Sequence, residues 1–258
     1  MNLALPPFCS VSTVSNEQIA AAEILAHKLS LSFSPLNPRH IQLVLTPQHI
    51  EIRAPDLGSP ILIDFEEGKN AHRRQFGGGR GQPLAKAIGL KKGANPTVID
   101  ATAGFGRDAF VLANLGCKVT LIERHSLIAT LLEDALRRAS DNPELVEVII
   151  RMSLINRDAI DHIKMLDTIE STLCPEVIYM DPMFPTRGKS ALVKKNMRLL
   201  HQLAGPDTDS EQLLTVARTI ALKRVVVKRP KSAPFVGNHK PTTSIESKNT
   251  RYDVYINL

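Results

Sequence analysis

The ten residues EVIYMDPMFP, from Glu176 to Pro185, set a carboxylate, a proline carbonyl and an aromatic ring at the end of an apolar run. That combination suits one kind of chemistry. An amine on an aromatic ring is a poor nucleophile, because its lone pair is delocalised into the ring. The Asp181 side chain and the Pro182 carbonyl can accept the two amine hydrogens and aim the lone pair at an electrophile. Phe184 can stack on the ring that carries the amine. No strong base is required, since the amine becomes acidic as it is alkylated. Asp181 therefore mainly orients and collects the proton afterwards. The plain alternative is an Asp-Pro turn beside a buried Phe.

A second stretch, VIDATAGFGRDAFVLANLG from Val98 to Gly116, takes a hydrophobic strand through Asp100 into a turn of small residues and then a helix. Gly104 and Gly106 let the backbone approach a ligand closely. The next strand, KVTLIE, ends in Glu123, nineteen residues after Gly104. A carboxylate there can accept from two ribose hydroxyls, so the pair of features points to a nucleoside-containing cofactor. Gly104-Phe105-Gly106-Arg107-Asp108-Ala109 also fits a GxGxxA dinucleotide fingerprint. Two details favour S-adenosylmethionine instead. Asp100 can bind the amino group of a methionine moiety, where it would repel a pyrophosphate, and a motif for amine chemistry follows. DPMFP is similar to the (D/N/S)-P-P-(Y/F) signature of methyltransferases that act on exocyclic amines, with Met183 in place of the second proline.

The elements that must position these residues follow from periodicity. Beyond Pro96 strands alternate with helices. TVID, KVTLIE, VEVIIRM, EVIYMD, KRVVVKR and RYDVYIN read as strands. Asp108 to Leu115, Ser126 to Ala139, Asp158 to Leu166 and Ser210 to Leu222 read as helices. Near-continuous apolar strands suit a largely parallel sheet covered on both faces. The last strand has no helix after it and fits an edge hairpin with KRVVVKR. Before Pro96 the pattern differs. A helix from Asn16 to Leu29 with Ser15 as N-cap precedes strand-like IQLVLT, HIEIRA and PILIDF. A Gly-rich connector follows, whose end from Pro83 to Gly89 starts a helix. The expected architecture is α/β: a Rossmann-like class I methyltransferase sheet over residues 71–258, with a small α+β N-terminal unit over residues 1–70.

Charge and composition narrow the partners. The net charge is +6 at 43% hydrophobic and 22% charged residues, with a pI of about 9.3, compatible with a polyanionic partner. Three basic groups stand out. Arg73, Arg74 and Arg80 flank Gly77-Gly78-Gly79; Lys189, Lys194, Lys195 and Arg198 follow DPMFP; Lys228, Arg229 and Lys231 follow the fifth strand. Phosphate contacts are the functional reading and solvated loops the plain one. Cys9, Cys117 and Cys174 form no CxxC pair, so neither a zinc site nor a disulfide framework is expected, and a reducing cytosol fits. No stretch of about 18 apolar residues suggests a membrane span. The start of the chain lacks the basic n-region of a signal peptide.

The blocks AHRRQFGGGRG, DATAGFGRDAFVLA, Glu123-Arg124, YMDPMFP, KSALVKKNMR, Gly205 to Asp207 and KRVVVKRP occur in that order, with LVLTP at Leu43 to Pro47 ahead of them. In these the sequence resembles the bacterial small-subunit rRNA guanine-N2 methyltransferase family known as RsmJ. The resemblance implies methyl transfer to the N2 amine of one guanine in 16S rRNA, with free rRNA or the small ribosomal subunit as partner, in the cytoplasm. It implies cofactor contacts at Arg107, Asp108, Glu123, Arg124 and Asp181. Where the family carries two serines after the third strand, this chain has Asp158 and Ala159. Three other readings stay open on the residues alone: a DNA or protein amine methyltransferase, a nucleotide-dependent oxidoreductase using the GxGxxA turn, and a non-catalytic RNA-binding factor. Oligomeric state is left open.

Overall fold

The computed structural model describes residues 9–55, 58–66, 79–91, 93–166, 174–183 and 208–257. Strand β1 (Cys9–Thr13) leads through helix α1 (Ile19–Leu29) to β2 (Ser32–Phe33), β3 (Ile41–Leu45) and β4 (Ile50–Arg53). These strands form one sheet in the order β2-β1-β3-β4, with β1 parallel to both neighbours and β4 antiparallel to β3. The Ser15 side chain accepts from Glu17 N and so caps the turn that feeds α1, as its position predicts. β1 escapes a hydrophobic-pattern reading because CSVST is mostly polar. Its Ser10 is buried but bonded to Ser34 Oγ and Gln42 Nε2, so that hydroxyl is compensated in the interior. PILIDF, expected as a strand, joins the sheet only through a bridge between Ile61 and Ile52. Its Ile61, Ile63 and Phe65 go into the core instead.

Helix α2 (Pro83–Ile88) begins with proline in its first turn and ends at Gly89 in the left-handed conformation, φ 84°. Thereafter come β5 (Val98–Asp100), α3 (Arg107–Asn114), β6 (Val119–Glu123), α4 (Ser126–Ser140), α5 (Val146–Ile149), β7 (Met152–Asn156), α6 (Ala159–Leu166), β8 (Val177–Met180), α7 (Ser210–Ile220), β9 (Arg224–Pro230), β10 (Thr243–Glu246) and β11 (Thr250–Ile256). Among the described residues seven strands form one sheet in the order β10-β11-β9-β8-β5-β6-β7. The run from β9 to β7 is parallel, β11 is antiparallel to β9, and β10 is antiparallel to β11. Alternation builds two cores. Val98, Leu121, Val177, Tyr179 and Val226 face α3, α4 and the N-terminal sheet. Ile99, Ile122, Ile178, Met180 and Val227 face α6 and α7. That two-sided burial is why these strands read as continuous apolar runs.

Two expectations are corrected. VEVIIRM is not a strand. Its first half is the short α5, and the strand is the following MSLIN. Leu145, Val148 and Ile149 are buried while Val146 and Ile150 are exposed, which is a helical spacing. A β-branched run with one exposed face is read as a strand by composition and as a helix by period. β11 does pair antiparallel with β9 as expected, but it is not the edge. The polar β10, with TSIE almost wholly exposed, covers it. A polar edge strand carries no hydrophobic signal and protects the sheet from further pairing.

The N-terminal sheet shares its core with the larger sheet. Phe65 stacks on Phe110 with ring centroids 4.8 Å apart. Asp134, buried on α4, accepts Ile50 N at 3.1 Å and Arg138 Nε at 2.9 Å through Oδ2, and Arg137 Nη2 at 3.0 Å through Oδ1. One carboxylate thus ties β4 to α4. Asp134→Ala is expected to lower the unfolding free energy by about 2–3 kcal/mol, since it takes the acceptor from the part-buried Ile50 N–H and from the Arg138 guanidinium. Urea unfolding measures this, and a loss below about 0.5 kcal/mol would show that the tie is dispensable.

Candidate active site

Every strand of the parallel run delivers a chemical group at its carboxyl end. Asp100 ends β5, Glu123 ends β6, Asp158 follows β7, Asp181 follows β8 and Lys228 lies near the end of β9. They surround a cavity of about 460 Å³. Its lining includes Asp100, Gly104, Arg107, Asp108, Glu123, Arg124, Asp158, Ala159 and Asp181, nine of the ten expected cofactor residues. Pro182 and Met183 line it as well.

The tenth, Gly106, does not line the cavity. It holds the N-cap of α3 at φ 68°, and an added Cβ would stand 2.9 Å from Leu132 Cδ1 and 3.2 Å from Phe65 Cζ. Its small size serves the packing of the turn against the core. Gly104 is also left-handed, at φ 52°, and faces the cavity.

The carboxylates are held in different ways. Glu123 Oε2 accepts Gly104 N at 2.9 Å and its Oε1 accepts His125 N at 2.7 Å, which fixes the acid against the glycine turn. Asp158 Oδ1 caps α6 by accepting Ile160 N and Asp161 N. Arg124 pairs with Asp209 at 2.7 Å across the cavity wall. Asp108, in the first turn of α3, accepts the Tyr179 hydroxyl at 2.7 Å and the Lys228 ammonium at 2.7 Å. The same ammonium lies 2.8 Å from Asp181 Oδ2. The Asp181 backbone N donates to Thr102 Oγ1 at 2.6 Å, so the turns after β5 and β8 are joined directly.

Asp100 is the least compensated of these acids. Burial pushes its carboxyl up to about 8, aided by the nearby Asp108 and Asp181 charges and opposed by the Thr102 N–H and by Lys228. Tyr179 is raised well above the usual phenol range by burial and by the surrounding carboxylates, so it stays a neutral donor. Burial disfavours the charge on Lys228, but Asp181 and Asp108 outweigh it and hold the ammonium firmly protonated.

The expected phosphate-binding residues fare differently. Arg80 lies at the other end of the sheet. It donates to the backbone carbonyls of Lys91, Ala94 and Leu115 and to Asn95 Oδ1, clamping the approach to β5. Arg229 is buried and donates to Pro234 O. Lys228 belongs to the cavity. In each case the guanidinium or ammonium is engaged by protein oxygens, so a basic run in the sequence overstated the cations offered to phosphate. Arg73, Arg74, Phe184, Lys189, Lys194 and Lys195 lie outside the described residues. Sequence reasoning missed Thr102, Tyr179 and Asp209. Tyr179 gave no signal beyond its apolar strand, whereas Lys228 could have been placed by noting that it stands level with Asp181 on the next parallel strand. Among the described residues, no helix is long and apolar enough to cross a membrane, and no group of three His, Cys, Asp or Glu is placed to hold a metal ion.

The profile of a family described as "Putative SAM-dependent methyltransferase" matches residues 25–257. The ribosomal RNA small subunit methyltransferase J of Aeromonas salmonicida is 52% identical over 241 residues, covering 92% of this chain and 93% of that protein. The protein of the same name from Nitrosococcus oceani is 50% identical over 246 residues, covering 94% and 96%. A crystal structure of a SAM-dependent methyltransferase from Neisseria gonorrhoeae matches with a TM-score of 0.75 and 32% identity, covering 96% of each chain.

The Asp100 environment generates a pH dependence. The folded chain holds the Asp100 proton more tightly than the unfolded chain does. The stability this contributes is complete below the unfolded value near 3.8 and is lost as pH rises through about 8. Asp100→Asn removes the buried charge. It is expected to raise the Tm of the ligand-free protein by ~2–4 °C or more at about pH 9, with the gain shrinking toward about pH 5. Thermal melts of both proteins across this range check it, and a gain independent of pH would refute the assignment.

Proposed function

The chain belongs to the ribosomal RNA small subunit methyltransferase J family and is an S-adenosylmethionine-dependent methyltransferase, and from that premise we propose that it methylates the exocyclic N2 amine of one guanine in 16S rRNA. The observation that carries the reading is that Asp181 and Pro182 line the same cavity as Asp100 and Glu123. An acceptor pair for an aromatic amine is thereby set beside a nucleoside-binding strand end.

The cavity suits this cofactor on charge. Asp100, Asp108, Glu123, Asp158, Asp181 and Asp209 face Arg107, Arg124 and Lys228. With Asp100 protonated, five carboxylates still stand against three cations, which favours a ligand bearing a sulfonium and an ammonium and disfavours a pyrophosphate. When bound, S-adenosylmethionine supplies the electrophilic methyl group. Glu123 is assigned to the ribose hydroxyls, since its carboxylate is held rigidly at the cavity wall by two backbone N–H groups. Asp100 is assigned to the ammonium of the methionine moiety, a cation that would relieve its uncompensated burial. Arg107, Asp108, Arg124, Asp158 and Ala159 are assigned to the remaining cofactor surface.

Asp181 and the Pro182 carbonyl accept the two hydrogens of the target amine and present its lone pair. The alkylated nitrogen sheds a proton, which Asp181 takes and passes to solvent. Phe184 is assigned to stacking on the base. Arg73, Arg74, Lys189, Lys194 and Lys195 are assigned to the phosphate backbone, on their sequence alone. The base must be unstacked or single-stranded to reach the cavity. The substrate is free 16S rRNA or the small subunit, in the cytoplasm. We also infer a two-part chain, residues 1–70 and 71–258. Two separate sheets support that division. An oxidoreductase reading would leave Asp181 without a task and set a pyrophosphate against Asp100 and Asp108.

Methyl transfer from labelled S-adenosylmethionine to small subunits lacking their own guanine-N2 methylation tests the reading. Wild type is expected to yield N2-methylguanine, and Asp181→Ala to lose about 10²–10³-fold in kcat while still binding RNA. No label on subunits or on free 16S rRNA, from a protein that binds the cofactor, would overturn it.

A further inference from the structure

Lys228 connects the two halves of the site. Its register explains how. Tyr179 pairs with Val226 and Met180 with Val227, so the next step along the parallel strands sets Lys228 level with Asp181. On its other side Lys228 pairs with Tyr252 of β11. The β11 ladder fixes the lysine backbone on that side, and the β8 ladder runs up to Val227 beside it. Its Nζ reaches Asp181 Oδ2 at 2.8 Å and Asp108 Oδ2 at 2.7 Å.

We propose that Lys228 is a positioning residue for methyl transfer: it tethers the Asp181 carboxylate as a hydrogen-bond acceptor for the target amine and links it to Asp108 at the start of the cofactor-binding helix. The proposal rests on the methyltransferase reading above.

The chemistry follows from what surrounds Asp181. Asp108 faces it from α3, Asp100 from the end of β5, Tyr179 from its own strand, and Lys228 and Arg229 from β9. With Asp100 holding its proton, Asp108 and Asp181 remain as two carboxylates this close, and they would be driven apart or one of them protonated without a cation between them. A protonated Asp181 presents a hydroxyl to the target amine and loses an acceptor. Without this ammonium Asp181 is held less firmly and aims the lone pair less well. The ammonium prevents both. Held by two carboxylates it keeps its proton, so it acts through Asp181 rather than as a base.

The test compares Lys228→Met and Lys228→Arg with wild type. It measures kcat and KM for methyl transfer at saturating RNA, the S-adenosylmethionine Kd by calorimetry, and the pH–rate profile. Lys228→Met is expected to lose about 10²-fold in kcat, the scale of a misaimed reactant. The acid limb of its profile moves to higher pH, because Asp181 has lost its cation. Its cofactor Kd changes by less than about threefold, since the Tyr179 hydroxyl still holds Asp108. Lys228→Arg recovers at least about tenfold of the loss, because it restores the charge. If Lys228→Met melts below the assay temperature, Lys228→Gln, which keeps an N–H donor without the charge, takes its place with the same expectations. A kcat equal to wild type in the neutral variant overturns the proposal alone. So does a loss wholly in cofactor affinity with kcat intact. A wild-type protein that transfers no methyl overturns the functional reading and this proposal with it.

Discussion

Six carboxylates converge on the carboxyl edge of one sheet, and each one taken out of water has to be compensated. Most of the local architecture can be understood as the compensation. Glu123 accepts two backbone N–H groups, which requires the glycine turn to fold back over β6. Asp158 takes the first N–H groups of α6, where a helix start offers unpaired donors and a partial positive charge. Asp209 has Arg124, and Asp108 and Asp181 share Lys228. Asp100 alone is left with little more than the Thr102 N–H and pays by binding a proton up to about pH 8. The site is therefore built short of positive charge. On the proposed function a cationic ligand would complete it, and affinity for a sulfonium and stability of the empty fold would be opposed in the same few side chains.

The parts of this that could be read from the sequence are those where one residue type has one physical use. The strand ending in Asp100, the glycine turn, Glu123 nineteen residues on and the Asp-Pro step were each legible, and the fold brings them to one cavity. Helices with a clear apolar face were legible to within a residue or two, as with α4 and α6. The failures have a common cause. β1 and β10 are polar strands whose place is set by partners distant in sequence, and α5 is a short apolar helix that strand-like composition disguised. Arg80, Lys228 and Arg229 were legible as cations but not as engaged ones. A basic residue looks the same in a sequence whether its partner is a phosphate or a carbonyl of its own chain. The Gly106 turn is a milder case: glycine was required there, but by Leu132 and Phe65 rather than by a ligand.

The juxtaposition on which the chemistry depends comes from the order of the strands. In sequence, Thr102 and Asp181 are separated by 79 positions. In the sheet, β5 has β6 on one side and β8 on the other, so the chain reverses direction of growth at β5. At such a switch point the turns leaving the two central strands diverge to opposite faces and open a crevice between them. Here Ala101 N donates to Tyr179 O and Asp181 N donates to Thr102 Oγ1, so the glycine turn after β5 and the Asp-Pro turn after β8 form the two lips of that crevice. Neither lip can shift alone, because each supplies hydrogen bonds that the other needs. β9 then adds Lys228 from the far side of β8, reaching back over Asp181 to Asp108. On the proposed function, orientation of the amine and placement of the methyl donor would both follow from one strand order. That makes precise aim available to a reaction that needs aim more than it needs a base.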